Sequence, residues 1–297
     1  MSLQKTIQDI QTLKIQGATA VAQATLLGLK KCAKKMKSAT PSKFIKEAEK
    51  CGKALAYARP TEPMAQNLVE LVISKLKKSA QVGADNKHLQ EILEYLVNHE
   101  LREMEEDLKQ VVEEGVKLIK NKDKILTFCH SSTVEKILIE AKSQGKKFKV
   151  YVPETRPLFQ GRITAKNLSQ AKIDVTMIVD SLTDKLLVQK QVNKVLIGAD
   201  VILGDGSIIN KVGSFGICED AHQNKIPVYV AAVLLKKQKG KLKVKIEKRQ
   251  PREVWEKQFK NITIKNPAFD KVPAKYITGI VTERGVLKPG EVKEPFS

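Results

Sequence analysis

The chain of 297 residues is 42% hydrophobic, enough to bury a sizeable core in one large or two modest domains, and nothing in its composition suggests disorder. Its net charge of +20 points to a polyanionic substrate, to nucleic acid, or to a lysine-enriched surface. No stretch approaches the roughly 20 apolar residues needed to cross a bilayer, and Met1-Ser2-Leu3-Gln4-Lys5 lacks the basic-then-apolar build of a signal peptide, so no membrane partner and a cytoplasmic location are expected.

From Thr6 to about Lys120 the apolar residues recur at three- and four-residue spacing, which predicts helices. Ala65 to Lys77 carries Leu68, Leu71, Val72 and Leu76 on one face, and Leu89 to Leu118 reads as one long helix with acidic residues outside. After Asn121-Lys122-Asp123 short β-branched runs alternate with helix-length segments, the pattern of βαβ units and a parallel sheet. The fold class is α/β: an N-terminal helical domain over residues 1–121 followed by a Rossmann-like parallel-sheet catalytic domain over residues 122–297.

Four apolar runs of this second half end in polar residues. Ile125 to Phe128 ends at Cys129-His130-Ser131-Ser132, Phe148 to Val152 at Glu154-Thr155-Arg156-Pro157, Val175 to Val179 at Asp180-Ser181, and Val195 to Ile197 at Gly198-Ala199-Asp200. In a parallel α/β sheet the carboxyl ends of the strands open onto one crevice, so a thiol, an arginine and two carboxylates are expected to face one small volume. Between them, Ser131-Ser132-Thr133 supply hydroxyls to cap a helix through Ser143 that Gly145 ends, while Pro157, Gly161 and Thr164 punctuate a loop. Gly204-Asp205-Gly206-Ser207 reads as a hairpin turn before Ile208 to Lys211. A helix starts at Gly213-Ser214 and runs to about Gln223, and a strand follows from Val228 to Val233. Lys236 to Gln250 reads as an exposed, charge-rich excursion, with order returning at Asn266 to Asp270.

The four cysteines, Cys32, Cys51, Cys129 and Cys218, lie far apart without CxxC spacing, so neither a zinc site nor a disulfide framework is indicated and at least three read as buried small hydrophobes. The dense lysine groups at Lys30-Lys31 with Lys34-Lys35, and from Lys236 to Lys245, read as solvated faces. Aromatic residues do not interleave with them as stacking platforms would, so nucleic-acid binding is not expected as the main role.

Cys129 precedes a helix amino terminus, where partial positive charge favours a thiolate suited to moving protons, although the position equally suits a buried structural cysteine. Asp200 follows two small residues that let a ligand approach, and its carboxylate can exchange protons with a sugar oxygen or simply cap the next turn. Arg156, in a proline-bounded loop, and Arg59, in Arg59-Pro60-Thr61, offer guanidinium forks that match phosphate, although loop arginines often only face water. Gly17 and Ala18 could present backbone N–H groups to an anion, and Lys211 beside Asn210 adds a point charge. Nucleophilic catalysis by Cys129 with His130 is disfavoured, since neighbours on an extended chain point to opposite faces. No metal-ligand spacing and no nucleotide-cofactor motif is found, so no cofactor is expected.

Taken together the chain resembles the superfamily joining 5-methylthioribose 1-phosphate isomerase, archaeal ribose-1,5-bisphosphate isomerase and the regulatory subunits of translation initiation factor 2B. The resemblance covers nearly the whole chain, through Ile15-Gln16-Gly17-Ala18, Arg59-Pro60-Thr61, Thr127 to Ser132, Glu154 to Pro157 with Gln160-Gly161, Gly198-Ala199-Asp200, Asn210-Lys211-Val212-Gly213, and Asn266 to Asp270 with Thr282 to Gly285. It implies an enzyme, because the cysteine and aspartate of the enzymes stand here as Cys129 and Asp200, whereas initiation-factor subunits typically replace one or both. The compact Thr-x-Cys-x-Ser-Ser motif and the Gly161 to Lys166 continuation look most like the ribose bisphosphate enzyme of AMP metabolism. The resemblance then implies conversion of ribose 1,5-bisphosphate to ribulose 1,5-bisphosphate, with Cys129 and Asp200 moving protons. Gly17, Ala18, Arg59, Ser131, Ser132, Arg156, Asn210 and Lys211 would bind the sugar bisphosphate. It also implies a homo-oligomer, a dimer or a hexamer of dimers, and leaves room for a nucleotide activator. The chain departs from the family pattern at Gln16, Phe128 and Ser214, where the usual residues are Arg, His and Thr; Ser214 keeps the hydroxyl, but Gln16 removes a charge from an expected phosphate site. A non-catalytic initiation-factor-like role and methylthioribose 1-phosphate isomerisation are the alternatives.

Overall fold

Hydroxyl caps start two of the first three helices. In the computed structural model, which describes residues 2–81, 85–239 and 246–293, Ser2 Oγ accepts a hydrogen bond from Lys5 N at 3.2 Å to open α1 (Leu3–Gln11). Gly17 opens α2 (Ala18–Ala33), and Thr40 Oγ1 accepts from Lys43 N at 3.3 Å, with Pro41 at the first helical position of α3 (Pro41–Ala56). α4 (Pro63–Gln81) and α5 (Asn86–Lys117) follow. The chain divides into two compact units, Met1–Glu106 with Leu235–Lys239, and Asp107–Leu234 with Gly240–Ser297, so the division falls inside α5.

The first unit is helical. Its core includes Leu26, Leu29, Leu55, Leu68, Val72 and Leu76, all fully buried, and the three- and four-residue spacing expected of α4 is the stripe that packs. Close approach of α2 to α3 also corrects the cysteine reading: Cys32 and Cys51 form a disulfide with Cα atoms 6.8 Å apart. Sequence spacing could not show this, because the pair is made by two helices lying side by side. A second correction concerns the excursion after Leu235. Lys236 and Lys237 are buried, and Asn67 Nδ2 donates to the Leu235 and Lys237 carbonyls, both at 2.8 Å, so Asn67 of α4 anchors this stretch. Residues 240–245 of that expected excursion lie outside the described residues.

The second unit is built on short apolar strands, the central ones buried on both faces as parallel sheets require and the edge strand over Asp174–Ile178 partly exposed. β1 (Lys124–Leu126), α6 (Ser132–Ser143), β2 (Lys149–Pro153), α7 (Gln160–Gln170), β3 (Asp174–Ile178), α8 (Thr183–Val188) and β4 (Lys194–Gly198) alternate. The hairpin β5 (Val201–Ile202) and β6 (Ile208–Lys211), then α9 (Ser214–Gln223), β7 (Val228–Ala231), β8 (Phe269–Val272), β9 (Gly279–Thr282) and β10 (Gly285–Leu287) complete it. One sheet has the order β10-β9-β7-β4-β1-β2-β3, parallel except for β10, and β5-β6-β8 form a small antiparallel sheet. The six parallel strands follow the doubly wound order 3-2-1-4-5-6, whose direction reverses between β1 and β4.

Local signals were used as read in several places. Ser131 Oγ accepts from Val134 N to cap α6, Gly145 follows it at φ 82°, and Gly206 at φ 78° turns the β5–β6 hairpin. The loop expected to hold Gly161 and Thr164 is instead the start of α7. Gly161 is required there by contact, since a Cβ would lie 1.8 Å from the Pro153 carbonyl oxygen. At the opposite end of the strands, Lys194 Nζ of β4 meets Asp123 Oδ2 at 2.5 Å, both side chains buried. Among the described residues no helix is long and apolar enough to cross a membrane.

Candidate functional site

β1 and β4 are parallel neighbours in register, Ile125 opposite Lys194 and Leu126 opposite Val195. Strands so paired run about 4.8 Å apart, so the loops that follow them, one carrying Cys129 and the other Asp200, leave the sheet next to each other at the switch point, where α/β sheets bind ligands. The contact of the two loops is direct: a Cβ on Gly198 would sit 2.6 Å from Ser131 Oγ. Only glycine at the end of β4 leaves room for the loop after β1.

Cys129 does not continue the strand. Its φ of 65° turns the chain into the left-handed region, its N–H donates to Thr155 Oγ1 at 3.1 Å, and its carbonyl accepts from Thr164 Oγ1 at 3.1 Å. The thiol is pushed up to about 11, first by burial; the Lys211 ammonium and a hydrogen bond from the His130 backbone oppose the shift, while the Asp200 and Asp180 carboxylates add to it. The expected thiolate is thus corrected: α6 begins only at Ser132, and loss of water outweighs its amino-terminal charge. Those same influences place a thiol, an ammonium and two carboxylates in one neighbourhood. His130 turns away to a different task, with Nδ1 at 2.8 Å from Glu135 Oε1 and 3.2 Å from Thr164 Oγ1. Burial works against ionisation of Glu135, but hydrogen bonds from His130 and from Asn167 Nδ2 outweigh it and hold the carboxyl below its usual range.

Asp200 is half-buried, and its N–H joins the hairpin by donating to Ile209 O at 2.9 Å. The turn that it might have capped is capped by Asp205, which accepts from Ser207 N at 2.9 Å. On β6, Asn210 Nδ2 donates to Ser214 Oγ at 2.9 Å, and that hydroxyl donates to the Lys211 carbonyl at 2.7 Å. The Ser214 hydroxyl thus links the Asn210 side chain to the Lys211 backbone. Asp270, opposite Asn210 on β8, accepts from Gly213 N at 2.6 Å and caps α9. Phe128 is buried against Gly213, whose Cβ would meet the ring at 2.9 Å. Lys211 Nζ stands 5.3 Å from the centre of the Phe269 ring.

Arg156 is exposed, with its guanidinium 4.9 Å from the Phe159 ring and Nη2 donating to Val254 O at 2.9 Å. Its loop is held by Asp180, whose two carboxylate oxygens accept from Thr155 N and Arg156 N, each at 2.7 Å. Ser131 caps α6 and Ser132, exposed, begins it. Of the expected residues, Cys129, Ser131, Ser132, Arg156, Asp200, Asn210 and Lys211 thus stand on the loops and strand ends of the second unit. Gly17, Ala18 and Arg59 belong to the helical unit: Gly17 is exposed at the start of α2 with φ 86°, Ala18 is buried behind it, and Arg59 is buried between α3 and α4 with Nη1 3.0 Å from Glu62 Oε1. Thr155, Thr164 and Asp180 hold the site from behind, a role the sequence did not show; Thr155 and Asp180 were visible only as residues at strand ends that open onto the crevice. Among the described residues no three His, Cys, Asp or Glu side chains group as a metal site.

A parallel sheet of this order is of the doubly wound class, whose switch point is the candidate place for a small-molecule site. The chain belongs to the Initiation factor 2 subunit family, whose pattern matches residues 14–289. It is 34% identical to the ribose 1,5-bisphosphate isomerase of Methanocaldococcus jannaschii, over 97% of this chain and 92% of that protein. It is 33% identical to the methylthioribose-1-phosphate isomerase of Geotalea uraniireducens, over 98% of this chain and 88% of that one. The crystal structure of the Pyrococcus horikoshii OT3 translation initiation factor eIF-2B superposes with a TM-score of 0.84 at 27% identity, covering 98% of each chain.

Proposed function

We propose that the chain is an aldose–ketose isomerase that converts ribose 1,5-bisphosphate into ribulose 1,5-bisphosphate. The observation that carries the reading is the emergence of Cys129 and Asp200 from adjacent parallel strands, with Lys211 close enough to act on the thiol. The likeness to enzymes acting on phosphorylated sugars, named for ribose 1,5-bisphosphate and for methylthioribose 1-phosphate, supports it.

The reaction moves four protons and needs no other reactant. Asp200 gives a proton to the ring oxygen as its bond to C1 breaks, and takes one from the C2 hydroxyl as the ketone forms. Cys129 takes the proton from C2 and returns one to C1, so that the 1-phosphate stays on an enol-like intermediate throughout. Each such group contributes about 10²- to 10⁴-fold. Ser131, Ser132, Asn210, Lys211 and Arg156 hold phosphate and sugar in this reading, and Gly17, Ala18 and Arg59 add an anion site. The domains of the proposal are the helical residues 1–121 and the catalytic residues 122–297. A homo-oligomer, dimer or hexamer of dimers, is part of it and is read by light scattering; a nucleotide activator is read by adding nucleoside phosphates to the assay.

The second reading is methylthioribose 1-phosphate isomerisation, which the similarity to the Geotalea enzyme favours. Purified protein offered each sugar phosphate separately, with ketose formation followed, separates the two. Faster turnover of the bisphosphate, by at least ~10-fold in kcat/KM, is expected. Preference for the methylthio sugar would replace the reading, and turnover of neither with a phosphosugar still bound would make the protein a regulatory binder.

A further inference from the structure

We propose that Asp180 is a positioning residue of this site, whose carboxylate sets the Thr155–Arg156 backbone and through it the phosphate-binding guanidinium. The kinetic part of this claim rests on the isomerase reading. β2 and β3 pair in parallel up to Pro153 opposite Ile178, and Glu154 N still donates to the Ile178 carbonyl. Beyond that point the ladder has no carbonyl to offer, because Thr155 turns into the left-handed region at φ 62°. The next two N–H groups of the loop are taken by one oxygen each of Asp180, at 2.7 Å. Charged acceptors make stronger bonds than neutral ones, so this carboxylate holds a conformation that a threonine would not otherwise keep.

What the loop holds follows from that. Thr155 is fully buried and its hydroxyl oxygen accepts from Cys129 N, tying the loop to the left-handed turn after β1. Arg156 leaves the same two-residue clamp toward solvent, so the direction of its guanidinium is set by where Asp180 puts its N–H. Asp180 also lies close enough to oppose ionisation of the thiol. It therefore needs no contact with substrate to affect binding.

The test is kinetic and chemical. Asp180→Asn keeps size but offers an N–H₂ where one backbone N–H requires an acceptor. It should raise KM for ribose 1,5-bisphosphate about 10- to 100-fold while kcat changes by less than about 3-fold. In an Arg156→Ala background the same substitution should add little, whereas multiplied effects on KM would overturn the claim. So would a fall in kcat with KM unchanged. Independently of turnover, the concentration of ribose 1,5-bisphosphate that half-protects Cys129 from iodoacetamide should rise about 10-fold or more in Asp180→Asn, and an unchanged value would overturn the claim. If wild type turns over neither sugar phosphate but this protection shifts, the isomerase reading fails and the positioning role stands. Should Asp180→Asn not fold, Asp180→Ser, which leaves one small acceptor, carries the same expectations.

Discussion

A half-buried thiol pushed up to about 11 has a measurable cost and a measurable use. Relative to the ordinary value of 9.0 the shift is about two pH units, or about 3 kcal/mol against forming the thiolate. At pH 8 about one molecule in a thousand then carries Cys129 as thiolate, against about one in ten for an unperturbed thiol. Alkylation of Cys129 by iodoacetamide, followed by peptide mass spectrometry, should therefore be about 100-fold slower than for a free thiol at that pH. Its rate should climb about tenfold per pH unit from 7 to 10, a slope that restricted access alone leaves untouched. As proton acceptor from C2 the thiolate is scarce but strongly basic. The sign for neighbours follows from charge. Lys211→Met removes the ammonium that favours the thiolate and should slow alkylation, while Asp200→Asn removes an opposing carboxylate and should speed it. A rate that levels off below about pH 9.5, or Lys211→Met reacting faster than wild type, would refute the electrostatic reasoning.

Three further outcomes are expected. Gly198→Ala places a methyl group 2.6 Å from Ser131 Oγ and should cost about 1–3 kcal/mol of stability, read by denaturant melts, together with about 10²-fold in kcat/KM as the loop after β1 is displaced. Lys194→Met leaves Asp123 buried without its cation and should destabilise by about 3–5 kcal/mol, whereas an unchanged urea midpoint would mean that the pair is hydrated. Reduction of Cys32–Cys51, which closes a loop with a sequence separation of 19, should lower stability by about 3 kcal/mol; Cys51→Ala should show the same loss and no further response to reductant.

What was legible in the chain was what local chemistry decides. β1 and β4 read directly because apolar runs buried on both faces end abruptly in polar residues, and the parallel order makes the two strands neighbours. The Gly204 to Ser207 turn and the Ser131 cap read equally well, since each depends on the conformational freedom or hydroxyl of one residue. β9 and β10 were not anticipated: each is only four or three residues long, and β10 is an antiparallel edge strand with Val286 exposed. Gly161 and Thr164 looked like loop residues because glycine is a helix breaker by propensity, while its real role is to let α7 start against the Pro153 carbonyl. The Cys32–Cys51 bond and the burial of Lys236 and Lys237 come from packing between distant segments, which periodicity does not encode. The thiol failed for a related reason: helix position is written in sequence, but how far a sulfur is withdrawn from water is a property of the folded site. Asp180 lay in plain view at the end of β3, and its partners became visible only once Thr155 was seen to leave the ladder.

The most direct test of the central claim is ketose formation from ribose 1,5-bisphosphate by wild type, Cys129→Ser, Asp200→Asn and the double variant, each with substrate binding measured alongside. Each single substitution should lower kcat by about 10²- to 10⁴-fold with binding largely kept, and the double should be little worse than the poorer single because the two groups act on one intermediate. Turnover within about tenfold of wild type in either single variant would contradict it.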